Sequence, residues 1–208
     1  MASADRGLFI TLEGGEGSGK STLAPTLAKR LRERGYRVCL TREPGGTSRG
    51  RMIQAIFEHD ESGNPLTPLA ELLLFEADRT QHVSEQILPA LAADDIVVCD
   101  RFIDSSLAYQ GFGRGVDLEF VRALNDATTG GLKPQLTLLL DVPPEAGLAR
   151  AAAPRDATGR ESLEFHTRVR EGFLELAKDE PDRFVIIDAT LPFEVVAHQS
   201  VTAVERLL

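Results

Sequence analysis

The fold turns on one stretch, Gly14-Gly15-Glu16-Gly17-Ser18-Gly19-Lys20-Ser21-Thr22. It fits G-x-x-x-x-G-K-[ST], the phosphate-binding P-loop. The residues before it, Leu8-Phe9-Ile10-Thr11-Leu12-Glu13, form a short β-rich run. Residues 19–34 after it carry a helical pattern that Gly35 would stop. Strand, glycine turn and helix in that order is the context in which the pattern has chemical meaning. Glycines let successive backbone N–H groups curl round phosphate oxygens, and the helix N-terminus adds a partial positive charge. The expected ATP-binding set is therefore Gly14 to Thr22. The Lys20 ammonium would lie on the β- and γ-phosphates, and the Ser21 hydroxyl on Mg²⁺.

Outward from this loop the pattern repeats. Short apolar runs at 37–41, 96–99, 136–140 and 184–187 read as further strands. Between them, helical spacing covers 48–58, 69–93, 117–127, 143–152, 162–179 and 193–207, with Asp117 as an N-cap and Pro89 interrupting the longest helix. Strands that are continuously apolar and alternate with helices imply an α/β fold. It would be a five-stranded parallel sheet with helices on both faces. Ligands in such folds bind at the carboxyl ends of the strands, so the chemistry should gather after Glu13, Thr41, Cys99, Leu140 and Ile187.

With 208 residues the chain is expected to form a single domain, 1–208. Hydrophobic residues are 42% and charged residues 26%, an ordinary globular composition. Net charge is −9, which argues against a nucleic-acid binder. The basic residues are 19 Arg and only 4 Lys. Codon bias explains such a split, and so does a planar anion-binding set placed over the crevice. The polar N-terminus lacks a charged start followed by an apolar run, so no leader is expected. No apolar stretch approaches the roughly 20 residues of a membrane helix. A cytoplasmic protein is expected, with Cys39 and Cys99 as buried reduced thiols. His59, His82, His166 and His198 lack zinc-ligand spacing.

The third strand ends Val97-Val98-Cys99-Asp100-Arg101. An acid at that place can hold Mg²⁺ through water, and an Arg beside it suits a second phosphate, that of an acceptor. Neither Asn64 nor Asn125 starts the Asn-Lys-x-Asp motif that reads guanine. Transfer to an acceptor is thus favoured over a nucleotide switch.

Five segments together carry a more specific resemblance: Leu12 to Thr22, Thr41-Arg-Glu-Pro-Gly-Gly-Thr47, Leu74-Phe-Glu-Ala-Asp-Arg79, Asp100-Arg101-Phe102 and Ser105-Ser-Leu-Ala-Tyr-Gln-Gly111. In order and spacing they resemble thymidylate kinase of the bacterial type, from Phe9 to the final helix. That family moves the γ-phosphate of ATP to the 5′-phosphate of dTMP, giving dTDP. The resemblance implies that Phe75 stacks on thymine, that Arg79 bonds a thymine carbonyl, and that Ser105 and Ser106 meet the base edge. It implies Arg101 on the acceptor phosphate with Arg42 near it, Tyr109 and Gln110 crowding the sugar 2′ position, and Glu16 approaching the 3′-hydroxyl.

Phosphoryl transfer to a phosphate oxygen that is already ionised needs positioning and charge neutralisation, not a strong base. Lys20, Arg101 and Mg²⁺, held by Ser21 and Asp100, would share that work. In this family a further catalytic Arg sits in the P-loop or in a lid. The variable P-loop positions here hold no base, which leaves a lid at 150–160 with Arg150, Arg155 and Arg160. The stretch Pro154-Arg-Asp-Ala-Thr-Gly-Arg-Glu161 departs from the usual lid pattern and looks shorter. Adenine would rest near Asp188-Ala189-Thr190. The family usually forms homodimers packed through helices, and the apolar stripe of 69–91 is compatible with that.

Overall fold

The structure is a computed structural model, and it describes residues 7–58, 65–151 and 161–208. Five parallel strands, β1 (Phe9–Glu13), β2 (Val38–Arg42), β3 (Ile96–Asp100), β4 (Leu136–Asp141) and β5 (Phe184–Asp188), form one sheet in the order β2-β3-β1-β4-β5. The first strand is central, with β3 on one side (Leu12 beside Asp100) and β4 on the other (Leu12 beside Leu138). The chain therefore reverses its direction of travel across the sheet at β1, and a crevice opens outside the strands' carboxyl ends there.

Period-two alternation along these buried strands feeds two cores. Ile10, Leu12, Val98, Leu138 and Leu140 pack on Leu23, Leu27 and Leu31 of α1 (Lys20–Glu33) and on Val196, Val201 and Val204 of α9 (Phe193–Glu205). The opposite face divides. Phe9, Val97 and Cys99 meet Val83, Ile87 and Phe102. Leu139 meets Tyr109 and, on α8 (Leu163–Asp179), Phe165 and Phe173. Helices thus cover both faces, as the unbroken apolar strands imply.

The remaining helices are α2 (Ser48–Glu58), α3 (Pro68–His82), α4 (Leu88–Ala92), α5 (Ile103–Ser106), α6 (Leu118–Thr129) and α7 (Pro144–Arg150). Asp117 caps α6 by accepting from Phe120 N at 2.8 Å. The long helix expected at 69–93 is divided by a π-helical turn at Val83–Ile87, where Leu88 N reaches back to Val83 O. Pro89 causes it. Proline donates no N–H to the carbonyl four residues earlier, and the ladder shifts by one residue to absorb the gap. A second π-helical turn, Leu107–Gly113, continues α5. The sequence carried no periodic signal there, because α5 and this turn are buried nearly all round. Cys99 is buried as expected, whereas Cys39 is only partly so.

Candidate active site

The P-loop joins β1 to α1. Gly14, Gly17 and Gly19 have φ of 138°, 64° and 95°, a region glycine enters without cost. A Cβ on Gly17 would lie 1.9 Å from Gly147 O, so the loop also depends on a close backbone approach to α7. The Lys20 ammonium donates to Gly14 O and Gly15 O, both at 2.8 Å, and to Ser18 Oγ at 3.1 Å. Burial, and then the neighbouring Arg101, push its pKa down to about 8.

The turn after β3 brings the next residues in. Arg101 has φ 73°, unusual for a side chain larger than glycine. Its N–H donates to Leu12 O at 3.0 Å, and its carbonyl accepts from Cys99 Sγ at 3.0 Å. Strained backbone of this kind persists where surroundings fix it, and such residues cluster at active sites. The Arg101 guanidinium donates to Glu16 Oε1 at 2.7 Å and lies 4.9 Å over the Tyr109 ring, whose hydroxyl donates to the same Glu16 oxygen at 3.1 Å. Arg101, with help from Lys20, holds the Glu16 carboxyl down at about 2, so it is ionised at neutral pH. A loop carboxylate is thereby tied to a strand-end guanidinium.

Glu13 has a part that its place at the end of β1 did not disclose. Its buried carboxylate accepts from Phe102 N at 2.7 Å, Ser105 N at 3.3 Å and Ser105 Oγ at 2.6 Å. It thereby ties the start of α5, and the backbone on either side of Phe102, to the central strand. Burial and the Asp104 carboxylate push its pKa up to about 8.

One cavity of about 530 Å³ opens beside these groups, within the usual range for small-molecule sites. Every residue expected at the acceptor lines it: Glu16, Arg42, Phe75, Arg79, Arg101, Ser105, Ser106, Tyr109 and Gln110. Ser21 and Asp100 reach the same wall. The Ser21 hydroxyl donates to Asp100 Oδ2 at 3.0 Å, and Asp100 Oδ1 is buried without a partner. These oxygens beside a phosphate cradle suit Mg²⁺, which takes one or two protein oxygens and completes its shell with phosphates and water. Among the described residues no cluster of His, Cys, Asp and Glu could bind a metal by protein ligands alone.

Several partners were not foreseen. Phe57 stacks on Phe75, with ring centroids 4.5 Å apart and planes at 12°. Arg79 is fully buried and heavily committed inside the protein. It bonds Glu43 at 2.9 Å, Ser106 at 3.0 Å, Asn125 at 2.7 Å and Phe102 O at 3.1 Å, and pairs with Glu76. Burying a guanidinium demands this degree of pairing, so little of its donor capacity remains for a base. Glu43, in turn, bonds His82 Nδ1 at 2.9 Å, and His82 Nε2 lies 2.6 Å from Thr41 Oγ1. The motif around Thr41 thus helps to hold Arg79, a link that only the packing of β2 against α3 discloses.

Of the three Arg residues expected in the lid, Arg150 is among the described residues. Arg155 and Arg160 lie outside the described residues. Arg150, at the end of α7, donates to Ala189 O at 2.8 Å and does not line the cavity. It sits instead with the Asp188-Ala189-Thr190 turn, where Asp188 Oδ1 accepts from Thr190 N at 2.8 Å.

Comparison with known proteins gives the same picture along nearly the whole chain. The profile of the family described as thymidylate kinase matches residues 12–200. A thymidylate kinase of Synechococcus sp. (strain JA-2-3B'a(2-13)) is 59% identical over 191 residues, 91% of each chain. One of Desulfovibrio desulfuricans is 51% identical over 97% of this chain and 96% of its own. The crystal structure of thymidylate kinase from Ehrlichia chaffeensis superimposes with a TM-score of 0.79 at 36% identity, covering 96% of this chain and 98% of that one.

Proposed function

This chain belongs to the thymidylate kinase family, and from that premise we propose how its own residues phosphorylate dTMP to dTDP with ATP. The observation that carries the proposal is the 2.7 Å bond between Glu16 of the P-loop and Arg101 of the β3 turn. It joins the donor-phosphate loop to the wall of a cavity whose lining suits a pyrimidine nucleotide.

The P-loop amides and Lys20 hold the β- and γ-phosphates of ATP. Arg101, with Arg42 near it, holds the dTMP phosphate in line. An ionised oxygen of that phosphate forms the new bond to the γ-phosphorus as the bond to the β-bridging oxygen breaks. The electron pair leaves with ADP, and no proton need move. Mg²⁺ on Ser21 and Asp100 supplies further charge neutralisation when bound. Glu16 is ionised and aimed into the cavity, which suits an acceptor for the sugar 3′-hydroxyl. Phe75, backed by Phe57, offers a flat face to the base, and Arg79, Ser105, Ser106, Tyr109 and Gln110 enclose its edge and the sugar.

The same proposal takes the chain as one kinase domain, with 150–160 as a lid from which Arg155 and Arg160 close on the transferring group. The Arg150–Ala189 bond favours a place for Arg150 on the adenine side. A cytoplasmic location and a homodimer packed through α2 and α3 complete it. Among the described residues no helix is long and apolar enough to cross a membrane.

The test is ADP release with dTMP, dUMP, UMP, AMP or no acceptor, repeated with Arg101→Ala. We expect dTMP-dependent turnover in the parent protein. In the variant, kcat/KM for dTMP should fall by about 100-fold or more, the scale of losing one charge-stabilising donor, while ATP binding is kept. Turnover without acceptor, a preference for AMP, or unchanged dTMP kinetics in Arg101→Ala would overturn the assignment.

A further inference from the structure

Gln110 stands on the cavity wall with both ends of its amide in play. Its side chain is buried at 2% exposure, and its Nε2 donates to Glu71 Oε1 at 2.7 Å. An amide can be turned either way at a given site, but here the chemistry leaves one choice: only the NH₂ end can face a carboxylate. The carbonyl end accepts no bond within the protein among the described residues. It is not one of the sealed, unpartnered atoms either, so its remaining access is to the cavity that Gln110 lines.

Glu71 is itself clamped. It lies on α3 with its side chain 4% exposed, and the Arg114 fork reaches both of its oxygens, at 3.0 Å and 3.4 Å. Arg114 stacks over the Phe165 ring at 4.8 Å and bonds Glu161 at 2.7 Å. A carboxylate so held cannot rotate away from the Gln110 amide. The buried arrangement therefore fixes the orientation of Gln110 before any ligand arrives, and preorganised polar groups of this kind are what discriminate between ligands.

We infer that Glu71, locked by Arg114, is a specificity-determining positioning residue: it sets the Gln110 amide so that a carbonyl oxygen faces the acceptor base. A carbonyl there favours a pyrimidine whose ring nitrogen carries a hydrogen, as the imide N–H of thymine or uracil does. It disfavours cytosine, whose equivalent nitrogen is an acceptor. A reversed amide would invert that preference. The inference rests on the dTMP reading above and adds a residue to it, one that touches the base only through Gln110.

The test is steady-state kinetics with ATP and with dTMP, dUMP or dCMP as acceptor, on the full chain and on Glu71→Gln, Gln110→Ala and the double variant. In Glu71→Gln the dTMP/dCMP preference should fall by about tenfold, the worth of one hydrogen bond. KM for dTMP should rise while KM for ATP stays put. In the Gln110→Ala background the same substitution should leave the preference unchanged, because its reader is gone. Arg114→Lys keeps the Glu71 charge but loses the fork, and serves if Glu71→Gln does not fold; it should lower the preference by a few-fold. A preference unchanged in Glu71→Gln and in Arg114→Lys, or lowered equally with and without Gln110, overturns the inference. Absence of dTMP turnover in the parent protein overturns instead the reading on which it rests.

Discussion

At the residue scale the site is a set of enforced pairs. Arg101 meets Glu16, Arg79 meets Glu43 and Glu76, and Arg114 meets Glu71 and Glu161. Each guanidinium is positioned by a carboxylate that would itself be costly to bury alone. Glu13 is different, because burial, reinforced by the negative charge of Asp104, pushes its pKa from the ordinary 4.5 to about 8. Between those values the folded chain binds more protons than the unfolded one. Stability from this group is therefore complete below about pH 4.5 and is lost as pH rises through about 8. Glu13→Gln copies the protonated form, and its amide can still serve Phe102 N and Ser105. Urea midpoints measured from pH 5.5 to pH 8.5 should fall less steeply in this variant than in the parent protein. The divergence should be on the order of 1–4 kcal/mol; parallel profiles would show that Glu13 does not titrate in this window.

At the element scale, contacts between loops and helices reverse what local propensity suggests. Gly147 sits inside α7, where exchange for Ala would normally gain about 1 kcal/mol. Here a Cβ on Gly147 would lie 2.2 Å from Glu16 O, in the middle of the P-loop. Gly147→Ala should therefore push the phosphate cradle out of shape, raising KM for ATP by about tenfold or more while far-ultraviolet circular dichroism stays unchanged. An ATP KM equal to that of the parent would show that α7 does not brace the loop. The long helix teaches the same lesson in another form. Its periodicity was legible from Leu69 to Leu91, and Pro89 marked an interruption, but a π-helical turn follows from carbonyl and N–H accounting in three dimensions. The buried turn at Leu107–Gly113 had no face exposed to water, so no period-3.6 pattern announced it, although its residues Tyr109 and Gln110 were already singled out by motif.

At the scale of the whole molecule, the net −9 and the Arg excess resolve into two parts. The crevice is not a simple positive field. Its lining holds Glu16, Glu43, Glu58, Glu71, Asp100 and Glu161 against Arg42, Arg79, Arg101 and Arg114, while Arg183 does not line it and is spent on Asp104 and Glu180. The apolar stripe of 69–91 likewise divides: Leu72, Val83 and Ile87 are core, while Leu69, Leu73 and Leu88 are about half exposed. Met52, 72% exposed on α2, adds to the apolar surface of the pair that would meet a second copy. Sedimentation of the parent protein should show a dimer, and Leu73→Glu should weaken it by at least about tenfold. A monomeric parent, or a variant that dimerises equally well, would remove α3 from any such interface. Sequence by itself determined the alternation of strands and helices and the P-loop, and its family resemblance singled out residues that line one cavity. It could do so because periodicity, glycine placement and motif spacing are local properties of the chain. Which carboxylate holds which guanidinium, what Glu13 and Glu71 do, and how much of Arg79 is left for a ligand were decided only by the tertiary structure. Those pairings join residues from different strands and helices, and the demand that a buried charge find a partner acts only once the chain has folded.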